Sequence, residues 1–165
     1  MTTARPKPRA GAPKSGHNHR ACIATALAAA EKLCAARGEQ LTALRRRVLE
    51  LVWAGHKPVG AYQILDILRG DGRSAAPPTV YRALDFLLAQ GLVHRVESLN
   101  AFIGCPHPGE THATQFLICS RCGTAVELDD AGIDKAIDGT AARMGFVIAA
   151  RTVEISGTCA ECRGR

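Results

Sequence analysis

Apolar residues recur at helical spacing through the first half of the chain and gather into short β-rich runs beyond it. After Thr42, a capping residue, Leu44, Val48, Leu51 and Val52 fall at i, i+4, i+7 and i+8, one face of a helix that Gly55 ends. Ala61, Ile64, Leu65 and Leu68 mark the face of another, broken by Arg69–Gly72. Val80, Leu84, Leu87 and Leu88 mark a third over Pro78–Gln90, closed by Gly91. Proline suits its first turn because the missing N–H would lack a partner there anyway. Ahead of these, Ala21–Arg37 consists almost wholly of helix formers and stops at Gly38. Behind them, Leu92–Glu97 and Ala101–Ile103 flank Ser98-Leu99-Asn100 as a hairpin. Helices followed by a two-stranded ribbon predict a winged helix-turn-helix, the second helix of the motif entering the major groove of DNA.

The rear of the chain has a different rhythm. Gln115–Ile118 and Thr124–Leu128 predict a hairpin, Asp129 or Asp130 caps a helix running to about Met144, and Phe146–Ser156 is an apolar, β-branched strand. The fold class is therefore α/β (α+β), with a small mixed sheet and one helix at the rear. The uncovered face and edge of such a sheet need a partner, which makes dimerisation its expected role.

Charge sharpens this division. Residues 1–104 carry 15 basic and 7 acidic side chains, and residues 105–165 carry 6 and 8. A basic front half suits a polyanionic partner. Residues 1–20 hold three prolines and Arg5, Lys7, Arg9, Lys14 and Arg20, the composition of a disordered basic arm. His17 and His19 there form a His-x-His pair of little weight. The expected organisation is arm 1–20, DNA-binding domain 21–99, hinge 100–106 and dimerisation domain 107–165. With no leader and no run able to span a bilayer, the expected setting is the cytoplasm.

Two cysteine pairs carry the strongest chemical signal. Cys119-Ser120-Arg121-Cys122 and Cys159-Ala160-Glu161-Cys162 each place two thiols on one turn, and together they complete the four-sulfur shell that Zn²⁺ accepts. Redox dithiols or disulfides would use the same residues, but no thioredoxin-like βα unit surrounds either pair. A closed four-thiolate cage neither catalyses nor senses easily, so function lies elsewhere. Cys22 and Cys34 suit burial in a helix as small apolar residues. Cys105 differs, lying between Gly104 and Pro106 with His107 and His112 close behind.

The helix after Pro77 is the candidate reader of DNA. Thr79, Tyr81, Arg82 and Asp85 lie on its polar face near the N-terminal end, where base edges are usually met. Arg82 can make a bidentate contact with guanine, and Tyr81 can pack on a thymine methyl or hold a phosphate. The blander role for Arg82 is an ion pair with Asp85. Tyr62 is a phosphate-contact candidate on the preceding helix.

The run Pro77-Pro78-Thr79-Val80-Tyr81-Arg82-Ala83-Leu84-Asp85-Phe86-Leu87, with Gly91-Leu92-Val93-His94-Arg95-Val96-Glu97-Ser98 and Ile118-Cys119-Ser120-Arg121-Cys122-Gly123, closely resembles the ferric uptake regulator superfamily. Within it the similarity is to the zinc-responsive branch, and it covers nearly all of about Ala21 to Cys162. The resemblance implies a homodimer with a winged-helix domain, a hinge and an α/β dimerisation domain. It also implies metal-dependent repression of uptake genes from palindromic operator DNA, with no enzymatic activity and no small-molecule substrate. It assigns the sensing site to His94, Cys105, His112 and Glu127. The several histidines that many members carry before the first cysteine pair shrink here to Thr111-His112-Ala113-Thr114, which argues for two Zn²⁺ per subunit and against the iron-sensing branch.

One thiolate, two imidazoles and a carboxylate suit tetrahedral Zn²⁺, and the sulfur disfavours hard ions such as Mn²⁺. The residues alone leave His107 and Glu110 open in place of His112 and Glu127. They also leave a surface role open for His94 and a water-facing one for Glu127. Other sensors within the superfamily respond to iron, manganese, nickel or peroxide. From other classes come a thiol redox protein and a zinc enzyme. A zinc deaminase wants His-x-Glu beside its metal, which neither His94, His107 nor His112 provides.

Overall fold

A computed structural model describes residues 19–164 other than 56, 74, 111–113 and 129. The chain divides into two compact units, one formed by residues 15–110 and the other built mainly from 111–165.

The front unit runs α1 (His19–Ala36), α2 (Ala43–Trp53), α3 (Ala61–Gly70), α4 (Pro77–Ala89), β1 (Val93–Val96) and β2 (Ala101–Gly104). Each start has a local cause. Thr42 Oγ1 accepts the Arg45 N–H at 3.4 Å to cap α2, and Gln63 Oε1 reaches back to the Gly60 N–H at 2.9 Å to open α3. The sequence-derived faces become the core: Val48, Val52, Ile64, Leu68, Val80, Leu84 and Leu87 are buried, with Leu44, Leu51 and Leu88 packed partly buried around them. Cys34 is buried among them, whereas Cys22 is only half-buried.

β1 and β2 pair antiparallel, with Val93 opposite Gly104 and His94 opposite Ile103. Asn100 turns the corner in the left-handed region at φ 46°, a conformation asparagine tolerates. A third segment joins this ribbon: Val59 exchanges both backbone hydrogen bonds with Phe102, at 2.9 and 2.8 Å. Two expectations need correcting. The basic arm gives way to helix at His19, before residue 20, and residues 101–104 of the expected hinge are strand β2. The ladder to β1 claims those backbone groups, so the segment outside the ribbon starts at Cys105. Residues 1–18, including His17, lie outside the described residues.

The rear unit comprises β3 (Thr114–Cys119), β4 (Ala125–Glu127), α5 (Ala131–Arg143), β5 (Thr152–Gly157) and the short α6 (Ala160–Arg163). Its sheet order is β4-β3-β5, antiparallel on one side of β3 and parallel on the other. Asp130 caps α5, its side chain accepting the Gly132 N–H at 2.7 Å. The expected strand from Phe146 starts only at Thr152. Residues 144–151 complete the parallel crossover, and among the described residues no strand pairs with Phe146 or Val147, which are 68% and 88% exposed. Phe116 and Gln115 are fully buried. Gln115 Nε2 donates to Asp134 Oδ1 at 2.8 Å, and Arg151 Nη1 donates to the same oxygen at 2.7 Å, so polar bonds tie α5 to the sheet.

Candidate metal centre and nucleic-acid interface

The parallel pairing of β3 with β5 places Cys119 opposite Gly157, which brings the two cysteine turns side by side. Gly123, at φ 75°, lets the first turn close, the Gly123 N–H reaching the Cys119 carbonyl at 2.8 Å. Ser120 then bridges to the second turn, its N–H and hydroxyl both donating to the Gly157 carbonyl at 2.8 and 3.0 Å. Arg121 Nη1 donates to the Cys162 carbonyl. Sequence reading missed Ser120 and Arg121, whose side chains give no ligand signal.

The four sulfurs of Cys119, Cys122, Cys159 and Cys162 all lie within 4.8 Å of one another. Cys122 Sγ and Cys159 Sγ are 3.8 Å apart. Tetrahedral Zn²⁺ with sulfurs at ~2.3 Å requires sulfur pairs about 3.8 Å apart, whereas a disulfide requires about 2.05 Å. The electrostatics point the same way. Backbone N–H groups of Cys159 and Cys122 lower the Cys119 thiol to about 6, so it ionises readily. Bonding from Thr124 lowers Cys122. Cys162, bonded by the Cys159 sulfur and crowded by the other thiols, is raised to about 12. Once Cys119 is ionised the cluster resists further negative charge, a repulsion that a dication would relieve, which is the fit expected of a closed zinc cage.

On the front unit, Tyr81 and Arg82 are exposed on the first turns of α4 and Thr79 is half-buried beside them. Arg82 Nε donates back to the Pro78 carbonyl at 3.3 Å rather than to Asp85. Tyr62, 66% exposed, stands at the start of α3. These are the N-terminal ends from which a helix-turn-helix meets DNA.

A second group of donors sits on the wing of the same unit. His94 is half-buried on β1, and Cys105, 2% exposed, follows β2. The Cys105 N–H donates to the Leu92 carbonyl at 3.0 Å, folding the chain back alongside β1. One ligand atom of His94 lies within 4.8 Å of Cys105 Sγ. In the rear unit Glu127 ends β4 opposite Phe116, with both carboxylate oxygens shielded from solvent. His107 is half-buried and Glu110 exposed, while His112 lies outside the described residues.

No helix among the described residues is long and apolar enough to cross a membrane. The ferric uptake regulator family model matches residues 36–156. The chain is 44% identical to the zinc uptake regulation protein of Escherichia coli strain K12 over 137 residues, 82% of this chain and 80% of that protein. Among solved structures it is similar to a zinc uptake regulator complexed with zinc and DNA, with TM-score 0.79 and 43% identity over 86% of this chain and 95% of the other. It is also similar to holo XcZur, with TM-score 0.77 and 46% identity over 86% of this chain and 99% of that one. The winged-helix unit, the mixed rear sheet and the four-cysteine cluster thus occur in a chain that belongs to the ferric uptake regulator family.

Proposed function

We propose that this protein is a zinc-responsive transcriptional repressor, a cytoplasmic homodimer that binds palindromic operator DNA when its sensing site holds Zn²⁺ and thereby controls zinc uptake genes. The observation that carries this reading is a pair of unlike donors, the His94 imidazole and the buried Cys105 thiol, on the wing of the unit that bears the reading helix. A thiolate beside an imidazole selects a borderline-soft ion over Mn²⁺. The likeness to zinc regulators of over 40% identity supports the same ion.

In this reading each subunit takes two Zn²⁺. Cys119, Cys122, Cys159 and Cys162 hold the structural ion that keeps the rear unit folded. His94, Cys105, His112 and Glu127 hold the sensed one. These four ligands come from the wing, the linking segment after β2 and the rear unit, so binding them restrains the reading helix relative to the dimerisation unit. Tyr62, Thr79, Tyr81 and Arg82 then meet DNA, with the two readers of a dimer spaced for adjacent grooves. The protein acts as a regulator rather than an enzyme, since a four-thiolate cage leaves no open position for a substrate. Operator binding measured against buffered free Zn²⁺, Fe²⁺ and Mn²⁺ tests the proposal. Tightening by Zn²⁺ at the lowest free concentration supports it, and a response to Fe²⁺ or Mn²⁺ alone would refute it.

A further inference from the structure

Trp53, the only tryptophan of the chain, ends α2 with its ring pressed against the backbone of Gly104. A Cβ at residue 104 would lie 2.2 Å from Trp53 Cε2 and 2.3 Å from Nε1. Trp53, Leu49, Leu92, Cys105, Pro106 and Pro108 face a common apolar cavity of about 340 Å³. Five residues beyond Gly104, Gly109 (φ 88°) makes a milder close approach, its Cβ position 3.1 Å from Leu33 Cδ1 on α1. The segment that begins with Cys105 is therefore laid onto the helices through two residues that have no side chain.

We propose that Trp53 is a positioning residue for the sensed metal: its ring occupies the space above Gly104 and thereby sets where the Cys105 thiol stands. The inference rests on Cys105 being a sensing ligand. Three constraints make Gly104 the place where a disturbance reaches the thiol. Phe102 is held on both sides, by β1 through Arg95 and by Val59 through two hydrogen bonds. Cys105 is tied by its N–H to Leu92. Trp53, partly buried at the end of α2, is packed against the core cluster. A methyl group at residue 104 must then push either the indole out or the end of β2 away, and the second movement carries Cys105 with it.

The test uses the full-length protein loaded at the four-cysteine site, with Zn²⁺ and Co²⁺ as probes of the second site. Gly104→Ala should weaken second-site Zn²⁺ binding about 10- to 100-fold, the range for residues that orient metal ligands. It should also diminish the thiolate-to-cobalt charge-transfer band. The double variant Trp53→Leu/Gly104→Ala, which opens space for the methyl, should bind more tightly than Gly104→Ala alone when both are compared at a temperature where each is fully folded. Unchanged affinity in Gly104→Ala, or no recovery in the double variant, overturns the proposal. If Gly104→Ala fails to fold, Trp53→Leu alone decides: an unchanged cobalt band and Zn²⁺ affinity overturn it, and weakening of both supports it. If Cys105→Ser binds Zn²⁺ like the parent, the sensing assignment itself has failed. The alkylation rate of Cys105 in protein that keeps metal at the four-cysteine site but has none at the second site then still reads its placement, and a rate unchanged by Gly104→Ala overturns the role of Trp53.

Discussion

Cys122 Sγ and Cys159 Sγ face each other at 3.8 Å across 37 residues of sequence. The fold creates this proximity by running β5 parallel to β3, so that each strand ends at a cysteine turn. The rear unit has little else to hold it: among its described residues α5 buries none fully, and only Gln115, Phe116, Ile118, Cys119 and Ala125 are buried. Structural zinc contributes about 10–16 kcal/mol to folding in small domains, more than such a core supplies. Cys119→Ser or Cys159→Ser should therefore lose the structural metal and unfold or monomerise the protein. Metal analysis with sedimentation velocity checks this, and a folded dimeric Cys119→Ser would sink the structural assignment.

Acid should act on this cage in a defined order. In the metal-free cluster the Cys119 thiol is lowered from 9.0 to about 6 and the Cys162 thiol is raised to about 12. A depressed thiol contributes stability fully above its ordinary value and loses it as pH falls through its folded value. Incoming Zn²⁺ displaces the Cys162 proton throughout the neutral range, but a Cys119 proton only once pH nears about 6. In Cys105→Ser protein, where the cage binds alone, the protons released per zinc should rise by about 0.7 from Cys119 between about pH 7.5 and about pH 5.5. Calorimetry in buffers of different ionisation enthalpy measures the count, and a constant value would contradict a depressed Cys119.

Much of this was legible beforehand because the signals are local. Helical periodicity located the faces around Val48, Ile64 and Leu84, and Cys-x-x-Cys spacing located the cage. What escaped depends on partners distant in sequence. Val59 joins the wing through a single bridge to Phe102, too short a contact to leave a β-pattern. The run from Phe146 has strand composition yet is strand only from Thr152, because pairing with β3 fixes the register and the crossover consumes the rest. Trp53 gave no ligand signal, since its contact is with a glycine that only the folded chain brings beside it.

Arg82 is exposed near the start of α4 and donates a 3.3 Å bond to the Pro78 carbonyl, which DNA can replace. Arg82→Ala should cost about 1–3 kcal/mol of operator binding and relax the preference for one guanine per half-site. Competition titrations against base-substituted operators separate the two possible roles. A loss equal for every sequence would make Arg82 a phosphate contact.

The apolar surface of the rear unit makes the dimer testable. Met144, Phe146 and Val147 are 79%, 68% and 88% exposed. They adjoin a groove of about 710 Å³ lined by Ile137, Ala141, Ile148 and Val153. Burying a phenylalanine is worth about 1.5–3 kcal/mol, and two-fold symmetry counts it twice. Phe146→Asp should raise the dimer dissociation constant by more than about 100-fold without unfolding either unit. Sedimentation equilibrium over a concentration series gives the constant, and an unchanged value would place the dimer interface elsewhere.

Cys105→Ser tests the switch. The residue is buried after β2, in the other unit from the four cage cysteines, so its loss should spare the cage. The variant should stay folded and dimeric, keep one tightly held zinc per subunit, and lose zinc-responsive operator binding. The required energy is substantial: moving a population from about one to about ninety-nine per cent DNA-ready takes about 5.5 kcal/mol of differential binding. Replacing a thiolate by a hydroxyl removes the softest donor of the set, and with it the main preference for Zn²⁺. Linkage adds a second reading of the same experiment, since operator DNA must tighten zinc binding by the factor that zinc tightens DNA binding. In the parent protein both factors should be large and equal, and in Cys105→Ser both should collapse toward unity. Anisotropy titrations of labelled operator at buffered free Zn²⁺, paired with zinc competition titrations with and without operator, measure them. Retention of the parent's zinc dependence in Cys105→Ser would remove Cys105 from the sensing site and with it the coupling of wing to rear unit.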